Sequence, residues 1–152
     1  MWLKENNVLR KIETLNSNNR SDSIDHSQSR YFPPIGNQGS KNSCTAWATL
    51  YYTGTFYDAM RYNNDISRAN WEGGYGGHPS AAYDQYIMSP DFAYVQINQG
   101  INVGTLFYDN MRIMNHLGMA SWEKFPTDIN NLTEWPDEAA WREAPKHRFD
   151  WK

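Results

Sequence analysis

The sequence has one cysteine in 152 residues, Cys44, so no disulfide forms within the chain and its fold does not depend on an oxidising compartment. It has no block of Lys or Arg. Fourteen basic residues lie scattered against seventeen acidic ones, for a net charge of -3, which argues against a nucleic-acid footprint. No apolar run approaches the roughly 18 residues of a membrane span. No signal-peptide core follows Met1-Trp2-Leu3-Lys4, so neither membrane association nor export is visible and the compartment stays open. The glycine run Gly73-Gly74-Tyr75-Gly76-Gly77 has no following Lys-Ser/Thr and no strand is expected before it, which argues against a phosphate loop. No residue cluster points to a metal or another cofactor.

What the chain does have is apolar and aromatic substance. At 39% hydrophobic and 15% aromatic residues it is globular and long enough for one core. Residues 1–30 divide into a short amphipathic stretch, Met1 to Leu15, with Trp2, Val8, Ile12 and Leu15 near helical spacing, and a polar linker, Asn16 to Ser29. This part reads as an N-terminal brace, with a pro-segment remnant as the alternative. Tyr31-Phe32-Pro33-Pro34-Ile35 is extended because each proline restricts the residue before it.

The chain then enters the stretch on which the reading turns, Gln38-Gly39-Ser40-Lys41-Asn42-Ser43-Cys44-Thr45-Ala46-Trp47-Ala48. A loop of Gly, Ser and Asn runs straight into an apolar, helix-permissive segment. A thiol in the first turn of a helix faces unsatisfied backbone N–H groups and the positive end of the helix dipole, which favour the nucleophilic anion. Six residues upstream, Gln38 offers a side-chain amide as donor to an oxyanion forming beside the sulfur. A lone cysteine beside aromatic residues is by itself more often an inert core thiol. It is the whole pattern that carries the reading.

Helices are expected over Cys44 to Tyr62, Pro90 to Gln99 and Thr105 to Leu117, with little sheet. The first has a nearly continuous apolar face, Trp47, Leu50, Tyr51, Phe56, Ala59 and Met60, and should be the most buried; Gly54 within it marks close packing. For the second, Ser89 is the expected N-cap, Pro90 the first helical residue and Gly100 the stop. The third carries Phe107, Met111, Met114 and Leu117 at helical spacing and ends at Gly118. Asn63 to Pro79 reads as a loop, Glu138 to Glu143 as a short helix, and His147 to Trp151 as the start of a strand.

The run from Pro33 to Ala48 resembles the active-site segment of papain-like (C1 family) cysteine peptidases, especially bacterial ones. The Gln38-to-Cys44 spacing equals that family's. Lys41-Asn42 replaces its usual Cys-Gly, which removes a common local disulfide, and Thr45 stands where Trp is frequent. The Ser89-Pro90 helix start and Trp122-Glu123-Lys124-Phe125-Pro126 are also similar to family segments. Gly104 matches the second glycine of a pair that meets substrate backbone there, with Val103 in the first position. The resemblance covers Tyr31 to Trp151.

That resemblance implies a mainly α fold for 31–152, the left (helical) half of the papain-like α+β fold, without its β-rich second domain. It implies a thiol-dependent endopeptidase with Cys44 as nucleophile and Gln38 in the oxyanion hole, acting on a peptide or protein substrate held along Val103, Gly104, Thr105 and Leu106. The family's catalytic His and Asn lie roughly 130 to 150 residues beyond the Cys. They are expected from a C-terminal β domain or a partner chain, so this chain alone is expected to be inactive. None of His26, His78, His116 or His147 has the family's context. The wall beside Cys44 should therefore expose apolar area. Two other readings stay open: a non-catalytic peptide-binding module with a relic Cys44, and a different thiol enzyme such as an acyl transferase.

Overall fold

A computed structural model of the protein describes residues 23–149. The amphipathic stretch from Met1 to Leu15 lies outside them. The fold is mostly helical, with four helices and one two-stranded ribbon.

Helix α1 is the axis. It starts as α-helix over Cys44–Ala46, widens to π-helix over Trp47–Gly54 and returns to α-helix over Thr55–Tyr62, with helical backbone at each junction. It lies between two cores. Leu50 joins Met88, Phe92, Val95, Met114, Met119 and Phe125, whereas Trp47, Tyr51 and Ala59 join Ile66, Ile87 and Trp122. The second core is aromatic: the Trp47 and Tyr51 rings are 4.5 Å apart, and Trp71 and Trp122 pack edge-on against them. Gly54 is where α1 meets the chain just after helix α3 (Phe107–His116), because a Cβ there would sit 2.4 Å from Met119 Sδ.

Strands β1 (Trp71–Glu72) and β2 (His78–Pro79) pair antiparallel, so part of the expected 63–79 loop is a hairpin. The sequence hid it because the strands are two residues long; Gly73, Gly74 and Gly76, at φ between +61° and +84°, turn the chain between them.

Helix α2 (Asp91–Ile97) begins later than expected. Ser89 is no side-chain cap; its N–H donates to the Ala120 carbonyl (2.9 Å), part of an antiparallel pairing that includes the Met88–Ser121 bridge. Five consecutive residues of α2, Asp91 to Val95, are buried, so α2 and not α1 is the most continuously buried element. The reason is position: α2 is covered by α1, α3 and the C-terminal helix, with Trp141 against Phe92 at 5.3 Å.

Helix α3 (Phe107–His116) closes at Gly118, whose φ of +98° and 1.8 Å approach of its would-be Cβ to the Ala144 carbonyl admit no side chain. Helix α4 (Glu138–Glu143) is capped by Asp137, which accepts from the Ala140 N–H (2.9 Å). The expected strand from His147 is absent from the described residues. A 3-10 turn, Ala144–His147, follows α4 instead, and it places the His147 ring 3.0 Å from the buried Asp58 carboxylate and Phe149 against the first core.

Candidate active site

Cys44 opens α1 and is solvent-exposed, while the residues around it are held tightly. The loop from Gly36 to Ser43 delivers it. Gly36 lies so close to the Trp47 ring that a Cβ would be 2.4 Å away, and Gly39 turns the loop at φ +63°. The Gln38 amide donates to the Lys41 carbonyl at 2.9 Å, which fixes the side chain within the loop and leaves its second N–H proton for another acceptor.

A second segment, residues 102–106, is fastened along this loop. The Asn42 backbone N–H donates to Asn102 Oδ1 (2.7 Å), the Asn42 side chain donates to the Asn102 carbonyl (2.9 Å), and the Asn102 side chain donates to the Ser40 carbonyl (3.0 Å). One residue past Cys44, the Thr45 hydroxyl meets the Thr105 hydroxyl at 2.6 Å, and the buried Asn110 amide donates to both hydroxyls. The Tyr94 hydroxyl, from α2, donates to the Val103 carbonyl (3.0 Å) and to Asn102 Oδ1 (3.2 Å). Burial pushes that hydroxyl up in pKa, and the Asp91 carboxylate acts in the same direction.

The bonds of Asn42 and Ser40 to Asn102 and of Thr45 to Thr105 thus set residues 102–105 alongside the loop that carries Gln38 and leads into Cys44. Gly104 is exposed, and a Cβ on it would meet nothing within 4 Å. Beyond it a row of apolar side chains stands in water: Leu106 is 68% exposed, with Phe107, Tyr108 and Met111 following on α3.

The histidines lie elsewhere. His147 bonds Asp58, which is fourteen residues after Cys44 along α1 and so about 20 Å away by helical rise. His26 packs on Phe56, the His78 ring is held 2.9 Å from the Pro79 carbonyl, and His116 ends α3. None of them bonds Cys44. Among the described residues no group of three or more His, Cys, Asp or Glu is placed to hold a metal, and no helix is long and apolar enough to cross a membrane.

Four of the residues that build this site carry no sequence signal. Asn102, Asn110 and Tyr94 read as ordinary loop or core positions. Lys41 reads as a solvated loop charge, yet it is 1% exposed and ion-paired with Asp91.

No family model and no curated protein matches the chain. Among solved structures it is similar to the crystal structure of xylellain, a cysteine protease from Xylella fastidiosa, with a TM-score of 0.54 at 14% identity. The match covers 75% of this chain and 42% of that one, so the present chain spans less than half of its structural neighbour. At that identity the likeness bears on fold alone: the architecture is consistent with the helical half of a papain-like fold.

Proposed function

We propose that this chain is the nucleophile-bearing half of a papain-like thiol endopeptidase. Cys44 attacks the scissile carbonyl, and Gln38 donates to the resulting oxyanion. The single observation that carries the reading is the joint placement of an exposed thiol at the start of α1 and the Gln38 amide fastened in the loop leading into it. The fold of the cysteine protease xylellain supports it.

The exposed strip at Gly104 takes substrate backbone, and Val103, Thr105 and Leu106 flank it. In peptide hydrolysis the thiolate adds to the carbonyl carbon, the tetrahedral anion expels the amine, and water then frees the carboxylate from the thioester. Expulsion of an amine requires a proton donor. Since no described histidine bonds Cys44, that donor and the group orienting it come from a β-rich domain or a partner chain. The apolar row Leu106, Phe107, Tyr108 and Met111 is the face left for it, consistent with an interface uncovered in this chain.

The competing reading keeps the cleft and makes Cys44 a relic. Labelling by a peptidyl epoxide separates them. The peptidase reading expects saturable modification of Cys44, faster than that of glutathione and competed by an unreactive peptide. Saturable binding of the probe with Cys44 modified no faster than glutathione favours the binding module.

A further inference from the structure

Lys41 sits in a loop of Gly, Ser and Asn, where a lysine ordinarily reaches into water. Instead it is turned inward, with Nζ 2.5 Å from Oδ2 of Asp91, fifty residues away and the first residue of α2. Both side chains are almost fully buried. Burying two charges carries a desolvation penalty that a pair of apolar side chains would avoid, so the pair is poorly explained as a source of stability. The direction of the Asp91 titration fits that penalty: burial pushes its carboxyl up to about 6, with the Lys41 ammonium against it pulling the other way. The other titratable groups facing Asp91 are Tyr94 and Asp128, and Asp128 acts both ways, its backbone N–H lowering the Asp91 value and its carboxylate raising it.

What the pair does have is position. The carbonyl of Lys41 is the acceptor that holds the Gln38 amide, and Cys44 follows three residues on. The flanking residues Ser40 and Asn42 are bonded to Asn102, itself bonded by Tyr94 of α2. The backbone that sets Gln38 relative to Cys44 therefore has its deepest anchor at the Lys41 side chain.

We propose that Lys41 and Asp91 are positioning residues for the nucleophile loop: their buried ion pair pins the loop carrying Gln38 and Cys44 onto α2, and the site loses its geometry when the pair is neutralised. The inference rests on the reading of Cys44 as nucleophile and Gln38 as oxyanion donor. Its consequence is a pH gate. Withdrawal of Lys41 removes the cation that holds the Asp91 carboxyl down while α2 stays packed, so the released loop favours the protonated carboxyl and protonation below about pH 6 in turn favours release.

The test is iodoacetamide alkylation of Cys44 followed by intact mass from pH 4.5 to 8, with hydrogen exchange of the backbone amides of residues 36–43 read in parallel. Alkylation needs the thiolate, so an ungated thiol loses about tenfold in rate per pH unit below its ionisation. The wild type should lose about tenfold per unit above pH 6, fall more steeply just below it, and by pH 4.5 reach the slower rate of Asp91→Asn, an extra loss of about tenfold in all. Exchange protection of residues 36–43 should fall over the same interval while that of α2 persists. Asp91→Asn should show the tenfold slope throughout, react about tenfold more slowly at pH 7.5, and leave residues 36–43 unprotected. A wild-type slope of tenfold across pH 6 with unchanged loop protection overturns the proposal, whether or not Asp91→Asn folds. Failure of the peptidase reading would look different: Cys44 would react no faster than glutathione while loop protection still followed Asp91.

Discussion

Asn42 and Asn102 are joined twice, backbone N–H of Asn42 to the side chain of Asn102 at 2.7 Å and side chain of Asn42 to the backbone carbonyl of Asn102 at 2.9 Å. This double bond pattern closes the nucleophile loop against the strip that carries Gly104. Asn102→Ala deletes the Asn42, Ser40 and Tyr94 bonds made by its side chain. Because the position is exposed, the cost should be about 1–2 kcal/mol, read from the urea midpoint.

Gly54→Ala should run against helix propensity. In an open helix the exchange stabilises by roughly 0.5–1 kcal/mol. Here the new methyl meets Met119 Sδ at 2.4 Å, so a loss of about 1–3 kcal/mol is expected by thermal or urea unfolding. Gly118→Ala should cost more than Gly54→Ala, since its obstacle is the rigid Ala144 carbonyl and its φ is +98°.

Asp91 should leave a mark on stability opposite in sign to an ordinary salt bridge. Its folded value, about 6, lies above the ordinary 3.8. Between those two pH values the folded state holds a proton that the unfolded state has released, so stability falls as pH rises through the window and is flat above it. The wild type minus Asp91→Asn difference in urea stability, measured from pH 4 to 7, should carry this slope, on the order of 2–3 kcal/mol in total. A difference that rises with pH would contradict it.

His147→Ala should destabilise the fold by about 2 kcal/mol, because it strips the 3.0 Å bond from the buried Asp58 carboxylate. The alkylation rate of Cys44 should not change. A large fall in that rate would bring His147 into the site, against its placement toward the far end of α1.

How far this could be read in advance depends on the range of the interactions. The start and end of α1, the existence of α2, α3 and α4, and the stop at Gly118 follow from local periodicity, turn chemistry and proline or glycine punctuation. The loop that leads from Gln38 into the α1 start at Cys44 was legible from local turn chemistry. The misses are long-range. Ser89 has the chemistry of a cap, but its backbone is drawn into the antiparallel pairing with Ala120 and Ser121 and its hydroxyl caps no N–H of α2. His147 to Phe149 alternate like a strand, but Asp58 and the first core claim His147 and Phe149. Lys41 and Asp91 are fifty residues apart, and no spacing rule connects them.

The central claim is that Cys44 forms an acyl-enzyme with Gln38 stabilising the oxyanion. Intact-mass detection of a thioester after mixing the chain with a peptidyl p-nitrophenyl ester tests it most directly, because ester acylation depends less than amide cleavage on the missing proton donor. The expected result is one acyl group on Cys44, none on Cys44→Ala, and acylation of Gln38→Ala slowed about 10² to 10³-fold. Acylation of Cys44 no faster than that of glutathione, and equal in Gln38→Ala, would contradict the account.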